Sequence, residues 1–197
     1  ALVVEADFLY EELFIAAAGV LKMAAICRGN LNQVDLDSAT THKVGVLHTP
    51  GRNAQAVAEF TLGLVLSLAR SIPYAQAYLY GGHWEDPTEG YRMFQGREIM
   101  GATLGVIGLG QIGTRVVRMG KRLGMRALAH DPFVDSSSQG VAGLHFVSLE
   151  ELLKESDFVT IPIPGTVSNE ALLDAAHLKL MQPTAYLVNV TSTTVVD

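Results

Sequence analysis

Short apolar runs rich in β-branched residues alternate with helix-period segments along the sequence. This alternation is typical of parallel βα units, in which a helix returns the chain to the same edge of a sheet. We therefore expect an α/β protein. The runs predict strands over 1–5, 23–27, 44–48, 103–108, 125–130, 158–163 and 185–190. The periodic segments predict helices over 11–18, 36–41, 53–79, 112–123 and 149–155, and from a cap at Ser168 to about 181.

The longest periodic segment covers residues 53–79. Between Val57 and Leu68 it is apolar on nearly every face, and Glu59 is its only charge there. A helix that is apolar all round must be covered on all sides. Either it forms the core of this chain or it packs on a second subunit. We favour the second interpretation, which predicts a homodimer through this helix. The stretch 81–96, rich in Gly and aromatic residues, is typical of a linker.

Gly108, Gly110 and Gly113 form a G-x-G-x-x-G motif between a buried strand and an amphipathic helix. The triplet alone is a weak signal, but a strand before it and a helix after it are typical of a dinucleotide-binding turn. Gly108 allows the tight turn, Gly110 lets the backbone approach a pyrophosphate, and Gly113 lets helix and strand pack closely. Free N–H groups and the positive dipole end of the helix favour the phosphates.

Asp131 ends the next predicted strand. Its carboxylate would accept hydrogen bonds from the two ribose hydroxyls of an adenosine, and its charge would repel a 2′-phosphate. The motif and this carboxylate together predict NAD, in preference to NADP, as the cofactor. The alternative is that Asp131 only forms a turn before Pro132. We interpret the neighbouring His130 as a strand-end residue.

The charge balance excludes some partners, since 20 acidic residues face 14 basic ones and the formal net charge is −6. Nucleic acids and anionic membranes require a basic face, so neither is expected. The longest apolar stretches fall short of the roughly 18 residues that span a bilayer. Cys27 is the only cysteine, which excludes an intrachain disulfide and favours the thiol-reducing cytoplasm. The histidines show no metal-site spacing with Asp, Glu or Cys, so no metal is expected.

Several segments together resemble the D-isomer-specific 2-hydroxyacid dehydrogenase family, which includes phosphoglycerate dehydrogenase and glyoxylate/hydroxypyruvate reductase. They are Val34-Asp35-Leu36 with Ala39-Thr40, Thr49-Pro50-Gly51-Arg52-Asn53 followed by Ala56-Val57-Ala58-Glu59, and Gly101-Ala102-Thr103-Leu104-Gly105 leading into the glycine motif. The resemblance covers nearly the whole chain. It implies a Rossmann-type doubly wound parallel sheet with part of a flavodoxin-like substrate domain. It also implies a homodimeric, NAD-dependent oxidoreductase that moves a hydride between NAD and a small 2-hydroxy or 2-oxo acid.

The resemblance implies a division of the chain as well. Residues 1–50 would be a partial substrate domain, 51–82 a long interdomain and dimerisation helix, and 83–197 an NAD-binding domain incomplete at its C-terminus. The sequence begins at Ala1 without a Met and ends directly after an apolar strand, so we expect a piece of a longer protein.

Site residues carry over from the family by position. The backbone around Arg28, Gly29 and Asn30 would meet the substrate carboxylate. The implied cofactor residues are Gly108, Gly110, Gln111, Ile112 and Gly113 at the pyrophosphate, Asp131 and Pro132 at the adenosine, and Val190 and Thr191 near the nicotinamide.

Three departures from the family concern catalysis. Ser192 stands where the family has its catalytic Arg, and Pro162 stands where it has a His. None of the six histidines occupies the position of the family's acid/base His. Carbonyl reduction needs a proton donor and positive charge near the oxygen, so no catalytic residue is predicted. Two hypotheses stay open: an NAD-dependent oxidoreductase seen as an incomplete chain, and a non-catalytic dinucleotide-binding module with a redox-sensing or corepressor-like role.

Overall fold

The computed structural model describes residues 1–5, 7–83, 85–134, 142–164 and 169–197. The chain divides into two compact units, Ala1–Asn53 and Ala54–Asp197. Ser168, the predicted helix cap, lies outside the described residues.

The first unit is a three-stranded parallel sheet with two short helices on one face. Its elements are β1 (Leu2–Val4), α1 (Glu11–Ala16), β2 (Met23–Ile26), α2 (Leu36–Thr41) and β3 (Gly45–His48). The strand order is β1-β2-β3, and both pairs are parallel. Asp35 caps α2 by accepting the N–H of Ser38 at 2.8 Å. Phe14 of α1 and Ala39 of α2 are buried against Ala24 and Ile26 of the sheet.

The opposite face of this small sheet is apolar and open. Val3 is 67% exposed and Leu47 is 54% exposed, although they flank the central strand in register with Ala25. Parallel sheets are ordinarily covered on both faces. The first unit therefore presents an apolar sheet face to which further structure could pack.

The second unit is a five-stranded parallel sheet with helices on both faces. It contains α3 (Ala54–Ala69), α4 (Ile72–Tyr80), α5 (Pro87–Met93), β4 (Thr103–Ile107), α6 (Gln111–Arg122), β5 (Arg126–His130), β6 (Leu144–Phe146), α7 (Leu149–Glu155), β7 (Phe158–Thr160), α8 (Ala175–Leu178), β8 (Tyr186–Val188) and a 3₁₀ turn (Thr193–Val195). The strand order is β6-β5-β4-β7-β8, and all four pairs are parallel. Strands β5 and β6 are added on one side of β4, whereas β7 and β8 are added on the other, so the direction of strand addition reverses at β4. This confirms the predicted doubly wound sheet, whose ligands bind at such a reversal point.

The central strand of the sheet is buried on both faces. All five residues of β4 are buried. One face packs against α3 and α6 through residues such as Leu62 and Val116, and the other packs against α7 through Leu152 and Leu153. Each fully buried Leu or Val contributes about 1.5–3 kcal/mol of hydrophobic stabilisation. The carboxyl edge of this sheet is consequently a rigid platform.

The predicted single helix over 53–79 is wrong. The segment forms α3 and α4, whose axes are bent by 66°. Ser71 lies between them in the left-handed region, with φ of 54°, and Pro73 in the first turn of α4 has no N–H with which to continue the hydrogen bonding of α3. Among the described residues, neither helix alone is long and apolar enough to cross a bilayer; length and composition would allow it only for the bent pair.

The two faces of α3 have different surroundings. Ala58, Leu62 and Val65 are buried in the core of the second unit, whereas Phe60 is 62% exposed. One face of the helix is therefore core of this chain. The other leaves apolar surface open.

Other differences from the predicted elements are local. The predicted linker over 81–96 contains α5, which Asp86 caps through the N–H of Thr88 at 2.8 Å. The edge strand β6 has no counterpart among the predicted strands, because it has only three residues and none of them is fully buried. The predicted helix ending near 181 is reduced to the four residues of α8 among those described.

Candidate functional site

The glycine motif lies at the carboxyl end of β4, beside the end of β7. Gly108 has φ of +96°, a conformation that L side chains rarely adopt. A Cβ built on it would lie 2.3 Å from Cγ2 of Ile163. The N–H of Gly108 donates to the carbonyl oxygen of His130 at 2.8 Å, which extends the pairing of β4 with β5. Gly108 therefore leaves no room for a side chain, because Ile163 packs against it and its backbone is hydrogen-bonded to β5.

The other two glycines of the motif have opposite surroundings. A Cβ on Gly113 would lie 2.0 Å from the carbonyl oxygen of Gly108 and 3.2 Å from Cγ of Pro162. A Cβ on Gly110 would meet nothing within 4 Å. Gly113 therefore sits where helix and strand are in closest contact, and Gly110 faces open space at the start of α6.

The first turn of α6 offers its N–H groups without a side-chain cap. Gly110 occupies the N-cap position, and no side-chain hydrogen bond is made there. Gln111 is exposed and Ile112 is half-buried against the core. Uncapped N–H groups at the positive end of a 12-residue helix favour an anion such as a pyrophosphate.

Asp131 is anchored across the end of the sheet. Its Oδ2 accepts the N–H of Leu109 at 2.7 Å, and its Oδ1 accepts the N–H of Phe133 at 2.9 Å. The first bond ties the carboxylate to the glycine motif, and the second spans the exposed Pro132 in a turn. Each carboxylate oxygen retains a second acceptor position for a ligand hydroxyl.

The segment after β8 reaches the same edge of the sheet. The hydroxyl of Thr191 donates to the carbonyl oxygen of Ile161 at 3.0 Å, joining the ends of β8 and β7. Val190 is half-buried against the core. The structure therefore gathers the predicted cofactor residues of the second unit at one carboxyl edge.

Ser192 and Pro162 both have structural partners. Oγ of Ser192 lies 2.8 Å from Oγ1 of Thr194 and accepts the N–H of that residue at 3.3 Å, which caps the 3₁₀ turn. Pro162 is buried against the helix start at Gly113. Neither side chain supplies a cation or a titratable proton.

A paired histidine does occur elsewhere in the second unit. Nδ1 of His177 lies 2.8 Å from Oδ1 of Asp174, the N-cap of α8. The backbone N–H and imidazole of His177 hold the pKa of Asp174 below its ordinary value. Helix capping accounts for this pair. Among the described residues, no group of three or more His, Cys, Asp or Glu side chains is placed to hold a metal ion.

The predicted substrate residues lie at the carboxyl end of β2 in the first unit. Arg28, Gly29 and Asn30 are all exposed. The N–H of Thr49 donates to the carbonyl oxygen of Arg28 at 3.0 Å, and Nδ1 of His48 lies 3.2 Å from the carbonyl oxygen of Gly29. These contacts join the loop to the end of β3.

Comparison with known proteins identifies relatives over the whole chain. The model of the D-isomer specific 2-hydroxyacid dehydrogenase NAD binding domain matches residues 62–197. A glyoxylate reductase of Aeropyrum pernix is 36% identical over 202 residues, covering 98% of this chain and 60% of that protein. A D-3-phosphoglycerate dehydrogenase of Synechocystis is 34% identical over 186 residues, covering 94% of this chain and 33% of that protein.

Solved structures agree with these sequence relatives. The D-lactate dehydrogenase of Aquifex aeolicus, solved with NAD and lactic acid, superposes with a TM-score of 0.83 and 30% identity, covering 100% of this chain and 58% of that one. The chain thus spans between a third and three-fifths of the length of these relatives.

Proposed function

Because this chain belongs to the D-isomer-specific 2-hydroxyacid dehydrogenase family, we propose that the protein transfers a hydride between NAD and a small 2-hydroxy or 2-oxo acid. Residues 62–197 match the NAD-binding domain of that family, whose members are NAD-dependent dehydrogenases. One observation carries the proposal. Open space above Gly110 adjoins the uncapped first turn of α6, next to the anchored carboxylate of Asp131.

The residues at this edge fit a dinucleotide. Gly108, Gly110 and Gly113 shape the turn, and the N–H groups of Gln111 and Ile112 would bind the pyrophosphate. Asp131 and Pro132 would hold the adenosine ribose, and Val190 and Thr191 would lie near the nicotinamide. NAD, when bound, supplies or accepts the hydride.

The loop Arg28–Asn30 holds the substrate carboxylate in this proposal, and residues 1–50 belong to the substrate domain. In the reductive direction a hydride adds to the carbonyl carbon of the 2-oxo acid. The carbonyl oxygen takes up a proton, so the 2-oxo acid becomes a 2-hydroxy acid; bound NADH would supply the hydride. Because Ser192 and Pro162 supply neither charge nor proton, these must come from other residues.

Turnover by the intact protein tests this function. We expect NADH absorbance to fall when glyoxylate, hydroxypyruvate or 3-phosphohydroxypyruvate is added, and to stay constant without the acid. Tight NAD binding without turnover on any of the three would instead favour the non-catalytic module.

Replacing Asp131 with alanine is expected to weaken NAD binding by about tenfold or more, since hydrogen bonds to a charged group are worth about 1.5–3 kcal/mol. It should also narrow the preference for NAD over NADP, because the charge that repels a 2′-phosphate is removed. Calorimetric titration of the intact protein with both dinucleotides measures the two effects.

The titration with NADP distinguishes a role of Asp131 in cofactor binding from a purely structural role. Loss of the bond to Leu109 would loosen the turn and weaken NAD and NADP alike. A ratio of affinities unchanged from the wild type would show that Asp131 is only a turn residue.

The exposed side of the α3–α4 segment is the surface that we assign to a homodimer. Its apolar side chains are more than two-fifths exposed: Phe60, Ile72, Tyr74, Leu79 and Tyr80. A second copy would cover them, as the pattern over 53–79 predicts. Because Cys27 has no partner for an intrachain disulfide, the cytoplasm remains the expected location.

A further inference from the structure

Arg52 places a guanidinium at the same edge of the first unit as the loop Arg28–Asn30. It follows β3, and its Nη2 lies 2.7 Å from Oε1 of Glu5, the residue directly after β1. The carboxyl ends of parallel strands meet at one edge of a sheet. The ion pair therefore spans the edge from β1 to β3, with the loop after β2 between them.

Two further contacts fix the Arg52 segment relative to that loop. Thr49 and His48, in the same segment, contact the carbonyl oxygens of Arg28 and Gly29 at 3.0 Å and 3.2 Å. Within the segment, the N–H of Arg52 donates to the carbonyl oxygen of Thr49 at 3.4 Å. Arg52 is thus held on the surface that carries the proposed substrate loop.

The guanidinium has capacity for another ligand. It carries five N–H donors in a planar fork, and among the described residues its side chain contacts one acceptor, Glu5. The side chains of Arg52 and Glu5 are 56% and 65% exposed, respectively. Such an exposed pair contributes no more than about 1 kcal/mol, so an anion can bind beside Glu5 or displace it. Carboxylates, like phosphates, match the fork in two parallel hydrogen bonds, and the proposed substrate is a carboxylic acid.

We propose that Arg52 binds the carboxylate of the 2-oxo acid. This inference rests on the proposed function. It assigns the binding of the substrate's carboxylate to a side chain of the first unit, whereas the family resemblance implied only the backbone around Arg28–Asn30.

The test uses the intact protein with NADH, and oxalate as a non-reducible probe. We expect Arg52→Gln to weaken oxalate binding and raise the KM for glyoxylate by about 10–100-fold, the range for charge-assisted hydrogen bonds. Arg52→Lys should weaken oxalate binding and raise the KM less, because lysine keeps the positive charge and lacks only the planar fork. NADH affinity and melting temperature should stay as in the wild type.

Two control variants separate substrate binding from general effects. Lys22→Gln removes one positive charge just before β2, at the opposite edge of the same sheet. It should change neither the oxalate affinity nor the KM for glyoxylate. Glu5→Gln keeps an acceptor for Arg52 but removes the competing charge, so oxalate affinity should be maintained or increase. If the ion pair merely held the loops together, Glu5→Gln would also weaken oxalate binding.

The outcomes distinguish this inference from the proposed function. Wild-type oxalate affinity and KM in Arg52→Gln, with glyoxylate still reduced, would overturn the role of Arg52 and leave the function standing. A wild-type protein that binds NADH but neither binds oxalate nor reduces any 2-oxo acid would overturn both.

Discussion

Replacing Gly110 with valine is expected to weaken NAD binding at least about 100-fold, or about 2.7 kcal/mol, while the protein stays folded. A Cβ at this position meets no protein atom within 4 Å, and the φ of −66° suits any residue. The new side chain would therefore occupy space that the structure leaves open for the pyrophosphate. Calorimetric titration with NAD measures the loss, and the melting temperature should match the wild type.

A graded pair of variants checks the cause. Gly110→Ala adds one carbon where Gly110→Val adds three, so its loss of affinity should be smaller. Wild-type affinity in the valine variant would show that no phosphate approaches this turn, which would remove the observation on which the proposed function depends.

The parts of the fold that the sequence predicts correctly are those with a strong local signal. The strand β4 is a continuous apolar run because both its faces are buried. The helix α7 follows Ser148, whose hydroxyl caps it by accepting the N–H of Glu151 at 3.1 Å. Each of these elements is determined within a few residues. Their order along the chain then gives the parallel sheet.

The elements that the sequence does not predict depend on contacts or on single residues. The strand β6 lies at an edge and has only three residues, so its alternation of half-buried and exposed side chains is too short to predict a strand. The break between α3 and α4 depends on Pro73 and on the left-handed Ser71, within a segment whose apolar composition predicts an unbroken helix.

The candidate site likewise contains one part with a local sequence signal and other parts that depend on contacts between distant residues. The glycine motif is contiguous, so its pattern alone identifies the turn. The bond between Asp131 and Leu109 joins residues 22 apart, and the pair Arg52–Glu5 joins residues 47 apart. No local pattern indicates either contact.

Asp131 also shows how two sequence interpretations can both apply. One carboxylate oxygen makes the turn contact to the N–H of Phe133, and the other reaches the N–H of Leu109. The turn alternative and the cofactor prediction therefore do not exclude each other, because the turn fixes the carboxylate beside the glycine motif. The affinity measurements of Asp131→Ala test the second role.

Replacing Gly113 with alanine is expected to destabilise the second unit by about 3 kcal/mol, the upper end of the usual cost of overpacking. Its Cβ would lie 2.0 Å from the carbonyl oxygen of Gly108, and backbone atoms there cannot move without opening the turn between β4 and α6. At about 2–4 °C per kcal/mol, the melting temperature should fall by roughly 6–12 °C. Thermal unfolding without NAD measures this, since bound ligand would itself shift the transition.

Gly120 in the same helix provides the matched control. A Cβ there would lie 2.5 Å from Cδ2 of Leu104, which is fully buried, so the strain falls on the end of a side chain and not on backbone atoms. Alanine also gains about 1 kcal/mol of helix propensity over glycine, which offsets part of the cost. We therefore expect Gly120→Ala to melt within a few degrees of the wild type. If the two alanine variants melted at the same temperature, the close approach of α6 to the β4 turn would not be what requires glycine at position 113.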